Sequence, residues 1–384
     1  MFNICFLVSS YYPSTGGVQK ITRALCEAIA LDGNGVTVLT TKENRNNDEE
    51  IINSVFIKRF DIKIKNSIVY GQTNELNQYL IDNQHSFDIL VYVCFDSPVV
   101  VASLCSIKWI KVKKILYMHG LTDHKLVLRK LFSRDVFQYL KNLIRINFLL
   151  KKYHSHIGCF DAVVNLSSKD SAYQFFKSKY KMPIYELNNF VDEACFRLES
   201  KNTSTNKTIT YVANYYPLKN QTTILEAIYK SEAVSSCVFI GAKKTDYYNR
   251  LIERNTILSK SKGVDKALFL VDIPRSEVIK ILHGTYVFAM SSKAEMFPLV
   301  ICEAMASGVP FVCSDVGVVS TFPGGIIVDN NPTEFAQAFD KLIMDEELYS
   351  ALSKQGILYA QKHFRKEVFV KNFYKLLSDQ GIQV

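Results

Sequence analysis

Runs of apolar, β-branched residues alternate with helical patterns along this chain of 384 residues. Such alternation is typical of parallel sheets whose strands are joined by crossover helices. The first half is predicted to contain the strands Asn3–Val8, Val36–Thr40, Val55–Phe60, Asp88–Val93, Lys114–Met118 and Ala162–Leu166. The second half is predicted to contain the strands Thr208–Val212, Cys237–Ile240, Ala267–Val271, Thr285–Met290, Pro310–Ser314 and Ile326–Val328. The pattern therefore predicts an α/β protein with two doubly wound, Rossmann-like domains.

A polar stretch separates the two sets of strands. Residues 199–207 (ESKNTSTNK) are rich in turn formers and contain no large apolar residue, which is typical of a linker. We therefore predict an N-terminal domain at 1–198 and a C-terminal domain at 208–362. A helical pattern at 363–384 closes the chain.

The composition indicates a globular protein with an anionic partner. Hydrophobic residues make up 48% of the chain, and no window reaches the roughly 20 apolar residues of a membrane span. The N-terminus lacks the basic region of a signal peptide, so we expect a cytoplasmic location. The nine cysteines show neither a C-x-x-C pair nor zinc spacing, so we expect reduced thiols and no structural metal. The net charge of +9 favours a nucleotide, a phosphorylated lipid, a membrane surface or a nucleic acid as partner, and charge does not choose among them.

Basic residues are densest between Lys125 and Lys152, where Leu, Val, Phe and Ile recur at helical spacing. A basic, amphipathic segment of this kind is typical of a helix that lies on an anionic membrane surface. It is equally typical of a crossover helix with a solvated basic face. The sequence leaves both interpretations open.

Two glutamates lie eight residues apart in the stretch from Ser291 to Asp315. A short apolar run precedes this stretch and predicts a buried strand, while Pro298 followed by an Ala-rich segment predicts the start of a helix. Glu295 is therefore predicted to lie in the connecting loop and Glu303 on the helix.

The start of this helix is a candidate phosphate site. Free backbone N–H groups and the positive end of the helix dipole attract phosphate, and Phe297, Leu299 and Val300 would supply the N–H groups. Carboxylates accept hydrogen bonds from sugar and ribose hydroxyls, which suits Glu295 and Glu303. The simpler alternative is that Glu295 caps the helix and Glu303 is a solvated helix residue.

A glycine-rich loop follows the first predicted strand. Gly16 and Gly17 precede a helix of about 14 residues, so the segment is a βαβ unit in which the backbone can approach a phosphate or an acceptor closely. The loop does not have the G-x-G-x-x-G spacing, and the second strand ends in the neutral residues Val38–Thr41. A nicotinamide dinucleotide is therefore disfavoured.

His119 follows the strand Lys114–Met118 directly, at the end of the strand where parallel sheets bind ligands. A single histidine in such a position is often structural. His124 is a weaker candidate in the same loop.

The residues around the glutamate pair resemble the E-x7-E signature of retaining glycosyltransferases, in particular family 4. Those that match are Glu295, Phe297, Pro298, Leu299, Glu303, Ala304, Gly308 and Pro310. The loop with Gly16 and Gly17 resembles the family's N-terminal signature, which faces the cleft between the domains. Asn189–Asp192, followed by Phe196, resembles a structural junction of the family in which Phe190 replaces the usual glycine.

The resemblance implies the GT-B fold, with two Rossmann-like domains, a donor held mainly by the C-terminal domain and a last helix (363–384) that crosses back to the first. It implies that Glu303 binds the ribose hydroxyls and that Glu295 positions a hydroxyl of the donor sugar. It also implies that His119 points into the cleft near the donor sugar, with the acceptor beside the glycine loop. No metal or other cofactor is expected.

The segment from Ile209 to Ile228 resembles the family's strand, loop and helix whose arginine and lysine bind the donor diphosphate. Lys219 matches the lysine, whereas Asn214 stands where the arginine is expected. Asn214 is a neutral donor and cannot supply bidentate charge. Lys243 or Lys244, in the loop after the next strand, could supply the missing charge.

We therefore predict a retaining, metal-independent glycosyltransferase that moves a sugar from a nucleotide diphosphate donor to an acceptor hydroxyl. The basic segment suggests a lipid-linked or lipopolysaccharide acceptor, or another surface-polysaccharide glycan, at the inner face of the membrane. A sugar-nucleotide epimerase and a non-catalytic sugar-nucleotide-binding subunit are the alternatives. Net charge alone suggests nucleic acid, which we do not expect as a partner. The sequence does not identify the sugar, the base, the acceptor or the linkage.

Overall fold

The computed structural model describes residues 1–14, 16–43, 47–65, 68–121, 136–197 and 207–384. The chain divides into two compact units, each built on a parallel sheet. Unit 1 comprises Met1–Asn188 and Val370–Val384, and unit 2 comprises Asn189–Phe369.

Unit 1 contains an eight-stranded sheet and a separate hairpin. The strands are β1 (Asn3–Leu7), β2 (Gly35–Thr41), β3 (Glu49–Ile52), β4 (Val55–Phe60), β5 (Ile62–Lys65), β6 (Ile68–Gly71), β7 (Ile89–Val93), β8 (Lys113–Tyr117), β9 (Ala162–Asn165) and β10 (Ile184–Glu186). The helices are α1 (Gly17–Leu31), α2 (Thr73–Asn83), α3 (Pro98–Ser103), α4 (Val136–Lys152), α5 (His154–Ile157) and α6 (Ser171–Lys179). The sheet order is β10-β9-β8-β7-β1-β2-β4-β3, in which only the β3–β4 pair is antiparallel. β5 and β6 form the hairpin.

Unit 2 contains a six-stranded parallel sheet in the order β13-β12-β11-β14-β15-β16. Its strands are β11 (Thr208–Val212), β12 (Ser236–Gly241), β13 (Ala267–Val271), β14 (Val287–Met290), β15 (Phe311–Ser314) and β16 (Gly325–Val328). Its helices are α7 (Gln221–Lys230), α8 (Asp246–Lys262), α9 (Arg275–Gly284), α10 (Leu299–Ala306), α11 (Pro332–Met344) and α12 (Glu346–His363). A further helix, α13 (Lys366–Asp379), spans the boundary of the two units along the chain.

The predicted α/β class with two doubly wound units is confirmed. The central strands are continuous apolar runs because helices cover both faces of a parallel sheet. All five residues of β7 (ILVYV) and all four of β14 (VFAM) are buried. The strands that were not predicted, β3, β5, β6 and β10, are three or four residues long and largely exposed or half-buried, so they lack that apolar signal.

The division between the units falls after Asn188 rather than at the predicted residue 198. The backbone N–H of Val191 donates to the carbonyl of Phe364 (2.9 Å), and that of Arg197 donates to the carbonyl of Ala306 (3.1 Å). These hydrogen bonds attach the segment before the polar stretch to unit 2. The predicted linker 199–207 lies outside the described residues except for Lys207.

The end of the chain belongs to unit 1 from Val370 onwards, whereas the predicted closing helix began at residue 363. The ring of Phe373 stacks on that of Phe6 at 6.2 Å, and the hydroxyl of Tyr374 donates to a carboxylate oxygen of Asp32 at 2.6 Å. Phe373 is fully buried. Apolar packing of α13 thus fastens the last residues to the first strand of unit 1.

Within the part of the chain that the structure describes, no helix combines the length and apolar character that a membrane crossing requires. The nine cysteines are free thiols, and six of them are buried.

Candidate functional site

An open pocket of about 250 Å³ lies in unit 2 at the carboxyl ends of β11 and β14. The strand order changes direction here, because β12 lies on one side of β11 and β14 on the other. Open α/β sheets bind ligands at such a point. The pocket is lined by Tyr211, Val212, Ala213, Asn214, Lys219, Met290, Ser292, Glu295, Phe297, Pro298, Leu299 and Val300.

The start of α10 forms one wall of this pocket. The helix begins at Leu299, with Pro298 in an extended conformation at the N-cap, and Leu299 and Val300 occupy its first turn. Their N–H groups are of the kind that has no intrahelical acceptor, and the positive end of the helix dipole adds to them. Phe297, Leu299 and Val300 therefore lie where the sequence placed them, in a wall suited to an anion.

Lys219 and Glu295 form an ion pair in the pocket. The Nζ of Lys219 lies 2.5 Å from an Oε of Glu295, and the two side chains are only 26% and 16% exposed. The N-cap of α10 is Pro298, and the carboxylate of Glu295 accepts its hydrogen bond from Lys219 and not from the first turn of the helix, so the alternative that Glu295 caps the helix is wrong. Of the described residues that line the pocket, these two are the only charged ones.

Tyr211 contacts both of the loops that carry this pair. Its hydroxyl donates to the carbonyl of Lys219 and lies 3.2 Å from the hydroxyl of Ser292. Burial raises the pKa of Tyr211 well above its usual range, so the phenol stays protonated and can donate. Nothing in the sequence singles out Tyr211, because an aromatic residue in a buried strand is typical of an ordinary core position.

The loop that carries Glu295 is fixed by short hydrogen bonds. The hydroxyl of Ser291 donates to the carbonyl of Asn220 (2.8 Å), and the N–H of Lys293 donates to the carbonyl of Leu218 (2.8 Å). These bonds join the β14–α10 loop to the loop that carries Lys219. The two charged groups are therefore held together by the backbone as well as by their own attraction.

Gly317 also limits the position of the Glu295 loop. It has a φ of 60°, and a Cβ added to it would lie 2.5 Å from the carbonyl oxygen of Met296 and 2.7 Å from that of Glu295. A side chain there would displace the loop and strain the backbone.

Gly317→Ala is therefore expected to destabilise the protein by about 2–3 kcal/mol and to weaken ligand binding in the pocket. Gly263→Ala is the matched control, because Gly263 has a φ of 70° but no atom within 4 Å of an added Cβ. The control should lose only about 1 kcal/mol, the cost of the left-handed conformation. Chemical denaturation measures both, and equal losses would refute the role given to Gly317.

Asn214 lines the pocket but is engaged with a neighbouring loop. Its Oδ1 accepts the backbone N–H of Ala242 (3.2 Å), and its carbonyl accepts the side-chain N–H of Gln221 (3.0 Å). The family resemblance implies an arginine at this position. Here Asn214 instead holds the loop after β12 through its hydrogen bond to Ala242.

Glu303 lies on α10 as predicted, but it is not a lining residue of the pocket. Its two carboxylate oxygens accept hydrogen bonds from the guanidinium of Arg275, at 3.1 and 2.5 Å, and its side chain is 13% exposed. The alternative of a solvated Glu303 is therefore wrong.

The sequence interpretation missed Arg275. It occupies the first position of α9, where the helix dipole disfavours a cation, and that conflict could have signalled a specific anionic partner. Asp192 lies 4.0 Å from Arg275 and caps a short turn by accepting the N–H of Ala194 (3.0 Å), which fits the structural role predicted for it.

The remaining candidates lie in unit 1. Gly16 is the N-cap of α1 and Gly17 is its first residue, so both stand at a helix N-terminus that follows β1. His119 follows β8, and its ring lies 4.4 Å from that of Tyr117. The Nε2 of His119 is buried and has no hydrogen-bond partner in the described structure. Burial lowers the pKa of His119 to about 4, so the imidazole is neutral at physiological pH.

The basic segment is described only from residue 136, where α4 begins, and its side chains only from Leu140. Arg145 pairs with Asp96 (3.0 Å), while Ile144 and Phe148 are 69% and 52% exposed. Lys141, Lys151 and Lys152 are exposed on the same helix. Residues 122–135, which include His124 and Lys125, lie outside the described residues.

The chain is similar to known glycosyltransferases in sequence and in fold. Residues 196–359 match the family model described as "Glycosyl transferases group 1". The chain is 28% identical over 184 residues to a D-inositol 3-phosphate glycosyltransferase of Corynebacterium jeikeium, a match that covers 45% of this chain and 43% of that protein, so less than half of its length. It is 23% identical over 366 residues to an uncharacterized glycosyltransferase of Haemophilus influenzae, with 91% of this chain and 93% of that protein covered.

The crystal structure of Anabaena HepE in complex with UDP superposes with a TM-score of 0.73 at 15% identity, covering 98% of this chain and 100% of HepE. At that identity the similarity concerns the fold. The chain has the GT-B fold, and its residues 196–359 match the group 1 glycosyl transferases.

Proposed function

We propose that this protein is a retaining, metal-independent glycosyltransferase of the family 4 type, using a nucleotide diphosphate sugar as donor. The observation that carries the proposal is the Lys219–Glu295 pair at the start of α10, at the point where the sheet of unit 2 changes direction. A cation and helix amides suit a diphosphate, and an adjacent carboxylate suits a sugar hydroxyl. The group 1 match and the UDP bound by HepE support the same ligand class.

In this proposal the diphosphate lies against Lys219 and the N–H groups of Phe297, Leu299 and Val300. The bond between the anomeric carbon and the diphosphate oxygen breaks, and its electron pair stays on the leaving diphosphate. The positive charge of Lys219 and the helix dipole stabilise that developing charge, which is the part a metal plays in other enzymes. The acceptor oxygen bonds to the same face of the anomeric carbon, and its proton passes to a leaving phosphate oxygen. Glu295 accepts a hydrogen bond from a hydroxyl of the donor sugar and so positions it.

Glu303 is assigned to the ribose hydroxyls, with Arg275 as the residue that positions its carboxylate. A carboxylate oxygen can accept more than one hydrogen bond, so the pairing with Arg275 is compatible with ribose binding. Since both oxygens contact Arg275, the orientation of Glu303 depends on α9.

The acceptor is assigned to unit 1, near Gly16, Gly17 and His119. A neutral His119 can exchange hydrogen bonds with a hydroxyl but adds no charge. We propose a lipid-linked or lipopolysaccharide-type glycan as acceptor and a cytoplasmic enzyme that binds the inner face of the membrane peripherally through the basic segment.

The exposed apolar and basic residues of α4 support that membrane contact. Cosedimentation with vesicles tests it. The protein should bind vesicles that contain anionic lipid and be released by salt, whereas equal binding to neutral vesicles, or none, would contradict the assignment.

A thermal-shift screen of nucleoside diphosphates and nucleotide sugars tests the proposed function. A ligand that binds only the folded protein raises its melting temperature, and Glu303→Ala should reduce that shift. A failure of every nucleotide to stabilise the wild type would refute the donor site. Release of free, epimerised nucleotide sugar without an acceptor would favour an epimerase instead.

A further inference from the structure

The charge of the pocket is too small for the ligand proposed above. Lys219 contributes one positive charge and Glu295 one negative charge, so the described side chains that line the pocket are neutral in sum. The diphosphate of a nucleotide sugar carries two negative charges. Helix N–H groups supply partial charges only, and the neutral Asn214 adds none. A second cation close to the pocket would balance the remaining negative charge.

The loop that follows β12 contacts the pocket wall directly. The N–H of Ala242 donates to Oδ1 of Asn214 (3.2 Å), and the hydroxyl of Thr245 donates to the carbonyl of Tyr215 (2.6 Å). A Cβ added to Gly241 would lie 2.5 Å from the ring of Tyr215, so the two loops approach as closely as a glycine allows. The loop is thus fastened at both ends to the segment that lines the pocket.

Two lysines form the exposed tip between these two anchors. Lys244 extends towards the helix that follows the loop, with its Nζ 5.9 Å from the ring of Tyr248 on α8. Lys243 is exposed and lies next to Ala242, whose N–H contacts Asn214. The flexible stem of a lysine at this position can bring the ammonium group over the pocket mouth.

We propose that Lys243 is the second cation that binds the donor diphosphate. The inference rests on the proposed function and adds a residue to its donor site. Asn214 lacks the charge that the family resemblance implies at its position. It accepts a hydrogen bond from the loop after β12, and that loop carries Lys243. Lys219 and Lys243 would then contact the diphosphate from two consecutive loops of the sheet.

Titration calorimetry with UDP, GDP and inorganic pyrophosphate tests this assignment. Lys243→Ala should weaken binding of the nucleoside diphosphate that binds the wild type by about tenfold, the effect of one charge-assisted hydrogen bond at an exposed site. Lys243→Arg should retain most of the affinity. Lys244→Ala and Lys260→Ala are the controls, since the first removes the neighbouring lysine of the same loop and the second removes an exposed lysine of α8. Each control should stay within about twofold of the wild type.

The outcomes separate this inference from the proposed function. Binding to the wild type that Lys243→Ala leaves unchanged, or weakens no more than the two controls do, overturns the role of Lys243 and leaves the donor site standing. A wild type that binds none of the three probes overturns both. Because Lys243 is exposed, its replacement should not affect folding, and an unchanged melting temperature without ligand verifies this.

Discussion

Glu295→Gln is expected to reduce sugar transfer by about a hundredfold or more while tightening the binding of a nucleoside diphosphate. Glutamine keeps the size of the side chain but removes the charge that is proposed to position the donor sugar. The same change removes the anion that pairs with Lys219 at 2.5 Å. Lys219 can then bind the diphosphate without first breaking an ion pair. Steady-state kinetics and titration calorimetry measure the two effects.

The two expected effects, slower transfer and tighter nucleotide binding, have opposite signs. This distinguishes a residue that contacts the ligand from one that only maintains the fold. A residue that only maintained the fold would lower transfer and nucleotide binding together. Glu253→Gln is the control, because Glu253 is exposed on α8 away from the pocket lining, and it should change neither quantity. Weaker nucleotide binding in Glu295→Gln would contradict the proposed competition between Glu295 and the diphosphate.

Lys219→Ala is expected to weaken the binding of a nucleoside diphosphate by about a hundredfold, or roughly 3 kcal/mol. The change removes the cation of the pocket and leaves the carboxylate of Glu295, only 16% exposed, without its partner beside the proposed phosphate site. Lys260→Ala, which removes an exposed lysine of α8, is the control and should have no effect.

The double variant Lys219→Ala, Glu295→Gln separates the two contributions to this loss. Removing the unpaired carboxylate should restore part of the affinity, so the double variant should bind better than Lys219→Ala alone. Equal affinity in the two variants would show that repulsion by Glu295 contributes nothing to the loss of affinity in Lys219→Ala. Calorimetry of the four proteins completes the cycle.

Much of this site follows from the sequence because parallel strands end at a common edge. The apolar runs that became β11 and β14 placed Asn214, Lys219 and Glu295 at that edge, and Pro298 fixed the start of α10. Such strands are recognisable because burial on both faces makes them apolar throughout. The short β3, β5, β6 and β10 lack this burial and were missed.

The pairings of individual side chains did not follow from the sequence. Spacing placed Glu303 on α10 but not beside Arg275, because the α9–α10 contact depends on packing between residues 28 apart. Likewise, Asn214 indicated a missing charge, yet its hydrogen bond to Ala242 depends on how two neighbouring loops pack. The boundary after Asn188 was missed because the attachment of residues 189–197 to unit 2 relies on backbone hydrogen bonds that composition does not reveal.

The pocket of unit 2 is proposed to bind a nucleotide sugar through its diphosphate. Titration calorimetry of the wild type with common nucleoside diphosphates and their parent nucleosides tests this most directly. One diphosphate is expected to bind at least about a hundredfold more tightly than its nucleoside, and Lys219→Ala should remove most of this difference. A nucleoside that binds as tightly as its diphosphate, or a diphosphate preference that survives in Lys219→Ala, would contradict the proposal.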